Sequence, residues 1–159
     1  MAINIDIIKN NKKFNISKKL CKDVFLAVLQ YLKIETKYSV GFSITFDDDL
    51  RLLNKKHRNI DKSTNVLTFS LYNNKEELYK SFNELPLTLM GDVYFSFNVI
   101  KKEADEQNKT FYEHFTHLLI HSYLHLLTYD HFYDKERIEM ENIEIDILNI
   151  FRISNPYYY

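Results

Sequence analysis

The sequence predicts an α/β (or α+β) fold in which helices pack against a mixed four-stranded sheet. Three observations carry this. Segments with the two-residue alternation or β-branched richness of strands are interleaved with segments of helical period. The connection between the third and fourth strand-like segments is short, which argues against a fully parallel sheet. Only two glycines and two prolines occur in 159 residues, so no long linker is expected and residues 1–159 read as a single domain.

Taken in order, residues 2 to 8 alternate, with Ile3, Ile5 and Ile7 against Asn4 and Asp6, as in a half-buried strand. Ser17 is placed to cap a helix running to about Leu32, with Leu20, Val24, Ala27, Val28 and Tyr31 as its inner stripe. Residues 38 to 46, YSVGFSITF, are β-branched and aromatic and give a second strand. Asp47, Asp48 and Asp49 end it and suit the start of a short helix from about Leu50 to His57, as caps and against the helix dipole. A third strand is expected at 65 to 71. Residues 72 to 87 read as an exposed loop with at most one helical turn, and Met90 to Phe97 as a fourth strand. Asn98 is placed to cap a short helix through Gln107. Thr110 and Glu113 spell a capping box, T-x-x-E, that opens a long helix ending near Thr128. Asp134 is expected to cap the last helix, with Ile138, Ile143, Ile147, Leu148 and Phe151 facing inward and the tail SNPYYY on the surface.

Composition excludes several classes. Apolar content of 45% with 27% charged residues describes an ordinary soluble globular chain. No apolar run reaches the ~20 residues of a membrane span, and the N-terminal stretch reads as a strand and not as a signal peptide. Cys21 is the single cysteine, so no internal disulfide can form, which suits a reducing cytoplasm. The net charge of −1 excludes a globally basic nucleic-acid binder. The charge is uneven, however. Lys55, Lys56, Arg58 and Lys62 cluster in the first half, while Asp134 to Asp146 holds six acids against two bases. A local basic patch can hold phosphates on a neutral chain.

The chemistry concentrates in HSYLHLLTYDH, residues 121 to 131. His121 and His125 are four residues apart and share one helix face, and His131 follows where the chain leaves the helix and can turn back. Three imidazoles converging on one point, with a fourth corner left for water, is the arrangement of a catalytic zinc, whereas a structural site takes a fourth protein ligand. Such a zinc brings the pKa of its water to about 7. His114, His117, His121 and His125 fall within roughly an 80° wedge of one apolar helix. The competing explanation is a set of hydrogen-bonded core histidines, which the ligand spacing of the 121/125/131 triplet argues against; His114 and His57 read as ordinary helix histidines. The acidic run Asp47 to Asp49 reads as a helix cap before a metal site.

The histidine spacing equals that of the metzincin proteases, H-E-x-x-H-x-x-G-x-x-H, but Ser122 stands at the general-base glutamate and Thr128 at the turn glycine. Ser122 cannot take a proton at neutral pH, which argues against peptide hydrolysis by that route. The stretch instead resembles the YbeY family of endoribonucleases, whose motif runs H-G-x-L-H-L-x-G-Y-D-H. His121, Leu124, His125, Leu126, Tyr129, Asp130 and His131 match it, and the similarity continues through LNKKHRNIDKSTNVLTFS (53 to 70), GDVYFS (91 to 96) and His117. The resemblance implies a metal-dependent endoribonuclease specific for single strands. It associates the chain with 16S ribosomal RNA 3′-end maturation, other rRNA processing and ribosome quality control. It also implies one zinc per chain on His121, His125 and His131, with Arg58 as the phosphate or transition-state contact. Single-stranded RNA or rRNA and ribosomal or pre-ribosomal particles are the implied partners; neither DNA nor a membrane is expected. Lys55, Lys56 and Lys62 would track the RNA backbone. Asp130 would orient a ligand imidazole or cap the turn, and His117 would support a ligand or line the groove. A salt bridge from Arg58 to Asp61 is the plainer alternative for that arginine. Two other functions stay open: a zinc peptidase, and a non-catalytic assembly factor that keeps zinc for stability.

Overall fold

The computed structural model describes residues 3–35, 37–45, 47–60 and 64–157. Among the described residues ten elements follow one another: β1 (Ile3–Lys9), α1 (Lys18–Leu32), β2 (Tyr38–Thr45), α2 (Asp47–Arg58), β3 (Val66–Ser70), α3 (Lys75–Glu84), β4 (Thr88–Ser96), α4 (Phe97–Glu106), α5 (Phe111–Leu126) and α6 (Asp134–Ile150). The sheet order is β1-β2-β4-β3, with β1, β2 and β4 parallel and β3 antiparallel to β4. The expected mixed four-stranded α/β architecture is the one observed. No helix among the described residues is long and apolar enough to cross a membrane.

The central strand β2 is buried at all eight positions, with β1 and β4 on either side and helices covering it. Tyr123 of α5 ties the layers together. Its ring stacks on Phe25 of α1 at 4.1 Å, meets Phe42 of β2 edge-on at 5.8 Å, and its hydroxyl donates to the Cys21 carbonyl at 2.6 Å. A buried tyrosine needs such a partner for its hydroxyl, and here the partner is the backbone of α1. The histidine-bearing helix is thus fixed to both the sheet and its neighbour before any ligand is considered.

Gly91 sets how closely β3 and α5 approach β4. Its φ is +136°, and a Cβ there would lie 1.9 Å from the Phe69 carbonyl oxygen and 3.3 Å from the Leu126 side chain. Only glycine fits such a backbone at that distance.

Several local expectations need correction. Residues 72 to 87 contain α3, ten residues long, capped by the Asn74 side chain accepting from the Glu77 amide, with Leu78 buried. The polar surface of α3 hid an amphipathic face of Leu78 and Phe82, which pack against the core. Helix α4 is capped by Ser96, not Asn98, and α6 by Tyr133 without a side-chain bond, so Asp134 sits inside the first turn instead. Tyr31 and Ile138 are exposed; the buried faces hold Cys21, Phe25 and Leu29 on α1, and Met140 and Glu144 on α6. Helix α2 begins at Asp47, so the acidic run lies in its first turn. Residue 2 and Phe46, once expected in strands, lie outside the described residues, as do Asp61, Lys62 and the last two tyrosines.

Candidate metal centre

Helix α5 opens with the expected capping box: the Thr110 hydroxyl accepts from the Glu113 amide, and the Glu113 carboxylate accepts from the Thr110 amide. It closes with a left-handed residue. The Thr128 amide donates to the His125 carbonyl at 2.9 Å and the Tyr129 amide to the Leu124 carbonyl at 2.9 Å, the paired bonds of a Schellman turn. The chain then reverses, and Asp130 Oδ1 accepts from the His131 amide at 2.7 Å. This brings His131 over His121 and His125, with ring centroids 5.4 and 5.0 Å away.

Thr128 occupies this turn at φ +72°, a conformation that crowds a β-branched residue, and its hydroxyl is buried without a hydrogen-bond partner. Thr128→Gly is expected to raise the unfolding free energy by about 1 kcal/mol, relief of strain exceeding the extra entropy of the unfolded glycine chain. A urea midpoint that stays put or falls would show the turn to be unstrained.

The three histidines each offer one nitrogen within 4.8 Å of the others. Two tautomers follow from their partners. The Nδ1–H of His121 donates to Glu144 Oε2 at 3.0 Å, and that of His125 donates to the Tyr129 carbonyl at 3.0 Å. Both acceptors lack protons, so each Nδ1 carries the hydrogen and Nε2 is left to face the other ring. The two Nε2 atoms stand 3.0 Å apart. Burial first, then the neighbouring His121 and His131, push the His125 pKa down to about 4. At neutral pH its Nε2 is therefore a bare lone pair aimed at another nitrogen. That contact is favourable only with a cation between or beside the rings, a proton or a metal ion. The donor set fits a zinc with three imidazole ligands and an open position.

Behind the triplet stands Glu144, a residue that sequence reasoning missed. It is fully buried on α6 and grips two histidines at once: His121 through Oε2, and His117 through Oε1 at 2.7 Å. Burial by itself would raise its pKa, but the bonds from His117 and His121 outweigh this and hold it down at about 2. The Tyr157 hydroxyl adds a third bond at 2.6 Å, so the tail expected on the surface reaches the back of the site. The sequence did carry a signal. Glu144 falls on the apolar stripe between Ile143, Ile147 and Leu148, where an acid needs a partner. A buried carboxylate holding a ligand imidazole fixes its tautomer and raises its basicity. Glu144→Gln keeps the shape but loses the charge, and metal affinity is expected to weaken about 10- to 100-fold in chelator competition. Unchanged affinity would reduce Glu144 to a packing role.

The triplet opens into a cleft of about 750 Å³ whose lining includes Arg58, Thr64, Asn65, Ser70, Asp130 and Phe132 together with all three histidines. Arg58, the last residue of α2, is exposed and shares this cleft. His57 lines it too, packed edge-on against Phe69 at 4.9 Å. Lys55 and Lys56 are exposed on the same helical turn but outside the lining. The alternative pairing of Arg58 with Asp61, and the position of Lys62, fall outside the described residues. His117 stands behind the cluster on Glu144, and burial lowers its pKa despite that bond. His114 turns away to Glu103 at 3.0 Å.

Fold and cluster together define a class: a single mixed sheet carrying, at one helix end, an open three-histidine centre beside an arginine-bearing cleft. Comparison with known proteins specifies it further. The model of the endoribonuclease YbeY family matches residues 5–152. A curated endoribonuclease YbeY from Colwellia psychrerythraea is 44% identical over 120 residues, covering 76% of this chain and 72% of the relative. The chain belongs to the YbeY endoribonuclease family. The solution structure of a Thermotoga maritima protein matches with a TM-score of 0.55 at 23% identity, over 98% of this chain and 99% of that one, and supports the fold alone.

Proposed function

We propose that this protein is a zinc-dependent endoribonuclease that cuts single-stranded RNA in ribosomal RNA processing, including 16S 3′-end maturation, and in ribosome quality control in the cytoplasm. The observation that carries this is the meeting of His121, His125, His131 and Arg58 in one cleft. A zinc held by the three imidazoles would supply Lewis acidity toward a phosphoryl oxygen and toward water.

The chain's own groups do the rest. Glu144 and the Tyr129 carbonyl fix two imidazoles so that each Nε2 points inward. Arg58 neutralises the charge that builds on the non-bridging oxygens as the phosphodiester is attacked, and its planar fork suits two oxygens at once. Thr64, Asn65 and Ser70 add polar side chains to the cleft wall, and Lys55 and Lys56 attract the RNA backbone at longer range, a task the basic cluster of the sequence gives to Lys62 as well.

Purified protein should cut a single-stranded RNA, leave duplex RNA and casein intact, lose activity with chelator and regain it with zinc. His121→Ala is the control against contaminating nuclease. Casein cleavage would favour a peptidase. Intact ribosome association and rRNA processing in His121→Ala would favour an assembly factor that uses zinc only for stability.

A further inference from the structure

We propose that Phe132 and Tyr133 form a stacking platform for an unpaired nucleobase, next to the phosphate that Arg58 contacts. The inference rests on the endoribonuclease reading and specifies how that substrate is gripped. The sheet and helices bury Phe25, Phe42, Phe95 and Phe115 completely, yet Phe132 is 82% exposed and Tyr133 67%. A lone exposed aromatic is ordinary. These are two consecutive ones, with ring centroids 5.5 Å apart and planes at 70°, and Phe132 lines the cleft that holds the histidines.

Their backbone is tightly specified. The Schellman turn and the Asp130 cap precede them, and α6 starts at Asp134 immediately after. The backbone that carries the rings is therefore held next to His131, one and two residues away.

The neighbouring charges select the ligand. Beside the rings in sequence, Asp130, Asp134 and Glu136 outnumber Lys135 and Arg137, and Arg137 is taken up by Asp134 and Glu141, so this side of the cleft disfavours a phosphate. A base face is neutral, and the exocyclic amines at its edge can donate to those carboxylates. Arg58, which belongs to a different element, is the lysine or arginine that lines the same cleft among the described residues. The cleft is thus polarised, with one side built for phosphate and the other for base. In a duplex the faces of the bases are stacked on one another, so the platform admits only a base released from pairing. This supplies a physical basis for single-strand preference in a cleft that otherwise reads only backbone.

The test uses the full chain and a short single-stranded RNA carrying aminopurine at varied positions around the cleavage point. Stacking should quench the aminopurine at one position in the metal-free protein, a readout independent of turnover. The Phe132→Ala/Tyr133→Ala pair should abolish the quench and raise KM about 5- to 150-fold with little change in kcat, the range expected for one base–aromatic stack. Phe132→Trp should restore both. If wild-type protein binds and cuts the RNA while the double variant keeps its quench and KM, the platform is wrong and the nuclease reading stands. Wild-type protein that neither binds nor cuts RNA overturns both. A double variant with unchanged RNA kinetics but weakened ribosome association would mark the rings as a protein contact and also overturn the platform.

Discussion

Replacing His125 by alanine is expected to empty the metal site and end RNA cleavage while leaving the fold in place. The ring is half-buried, and the structural bond it makes is Nδ1–H to the Tyr129 carbonyl, so its loss costs about 1 kcal/mol. The capping box and Tyr123 still anchor α5. The loss to binding is far larger, because two imidazoles and solvent replace three converging ones. Thermal unfolding separates the two effects without any assay of activity. Zinc at a hundredfold excess over its Kd stabilises a binding protein by about 2.7 kcal/mol. Wild-type protein should show that gain and His125→Ala should not. His114→Ala is the control, since that ring lies on α5 too and is more deeply buried, but turns to Glu103. Stoichiometric zinc in His125→Ala would place the metal elsewhere.

The convergence of the three histidines could be read from the chain because a helix converts spacing into direction. Four residues between His121 and His125 place both on one face, and no tertiary knowledge is needed for that. His131 required a reversal of the chain, signalled only indirectly by the end of apolar periodicity near Thr128. The cleft itself depends on β3 lying antiparallel against β4, which carries α2 and Arg58 toward the end of α5. Sequence order alone does not give that pairing, and Gly91, which permits the close approach, looks in sequence like any strand glycine.

Glu144 escaped for a different reason. A helix of alternating acids and isoleucines reads as a solvated face with a greasy stripe, and the acid inside the stripe is easily assigned to the wrong side. Tyr157 escaped because a short tail has no periodicity to read. Helix α3 was hidden by composition: it buries only Leu78 and Ser81, and most of its surface is polar. These misses share one cause, since each residue's role is set by a partner distant in sequence. Local pattern instead placed the Ser17 cap, the Thr110–Glu113 capping box and the histidine spacing, while the caps of α4 and α6 fell one or two residues from where it put them.

Arg58→Ala is expected to lower kcat about 10²- to 10³-fold, or about 2.7–4 kcal/mol in the barrier, with zinc content unchanged. The arginine is exposed at the end of α2, so its removal should shift stability by no more than about 0.5 kcal/mol. Its position argues for a role in the reaction and against one in binding alone. It lines the cleft with the three histidines, whereas Lys55 and Lys56 on the same turn do not. Lys55→Ala should therefore act mainly on KM and on salt dependence, by weakening long-range attraction to the backbone. Arg58→Lys discriminates further. A lysine keeps the charge but not the planar fork, so it should recover only part of the lost rate if two phosphoryl oxygens are held together. Full recovery by lysine would mean that charge alone suffices, and an unaltered kcat in Arg58→Ala would remove this residue from the chemistry.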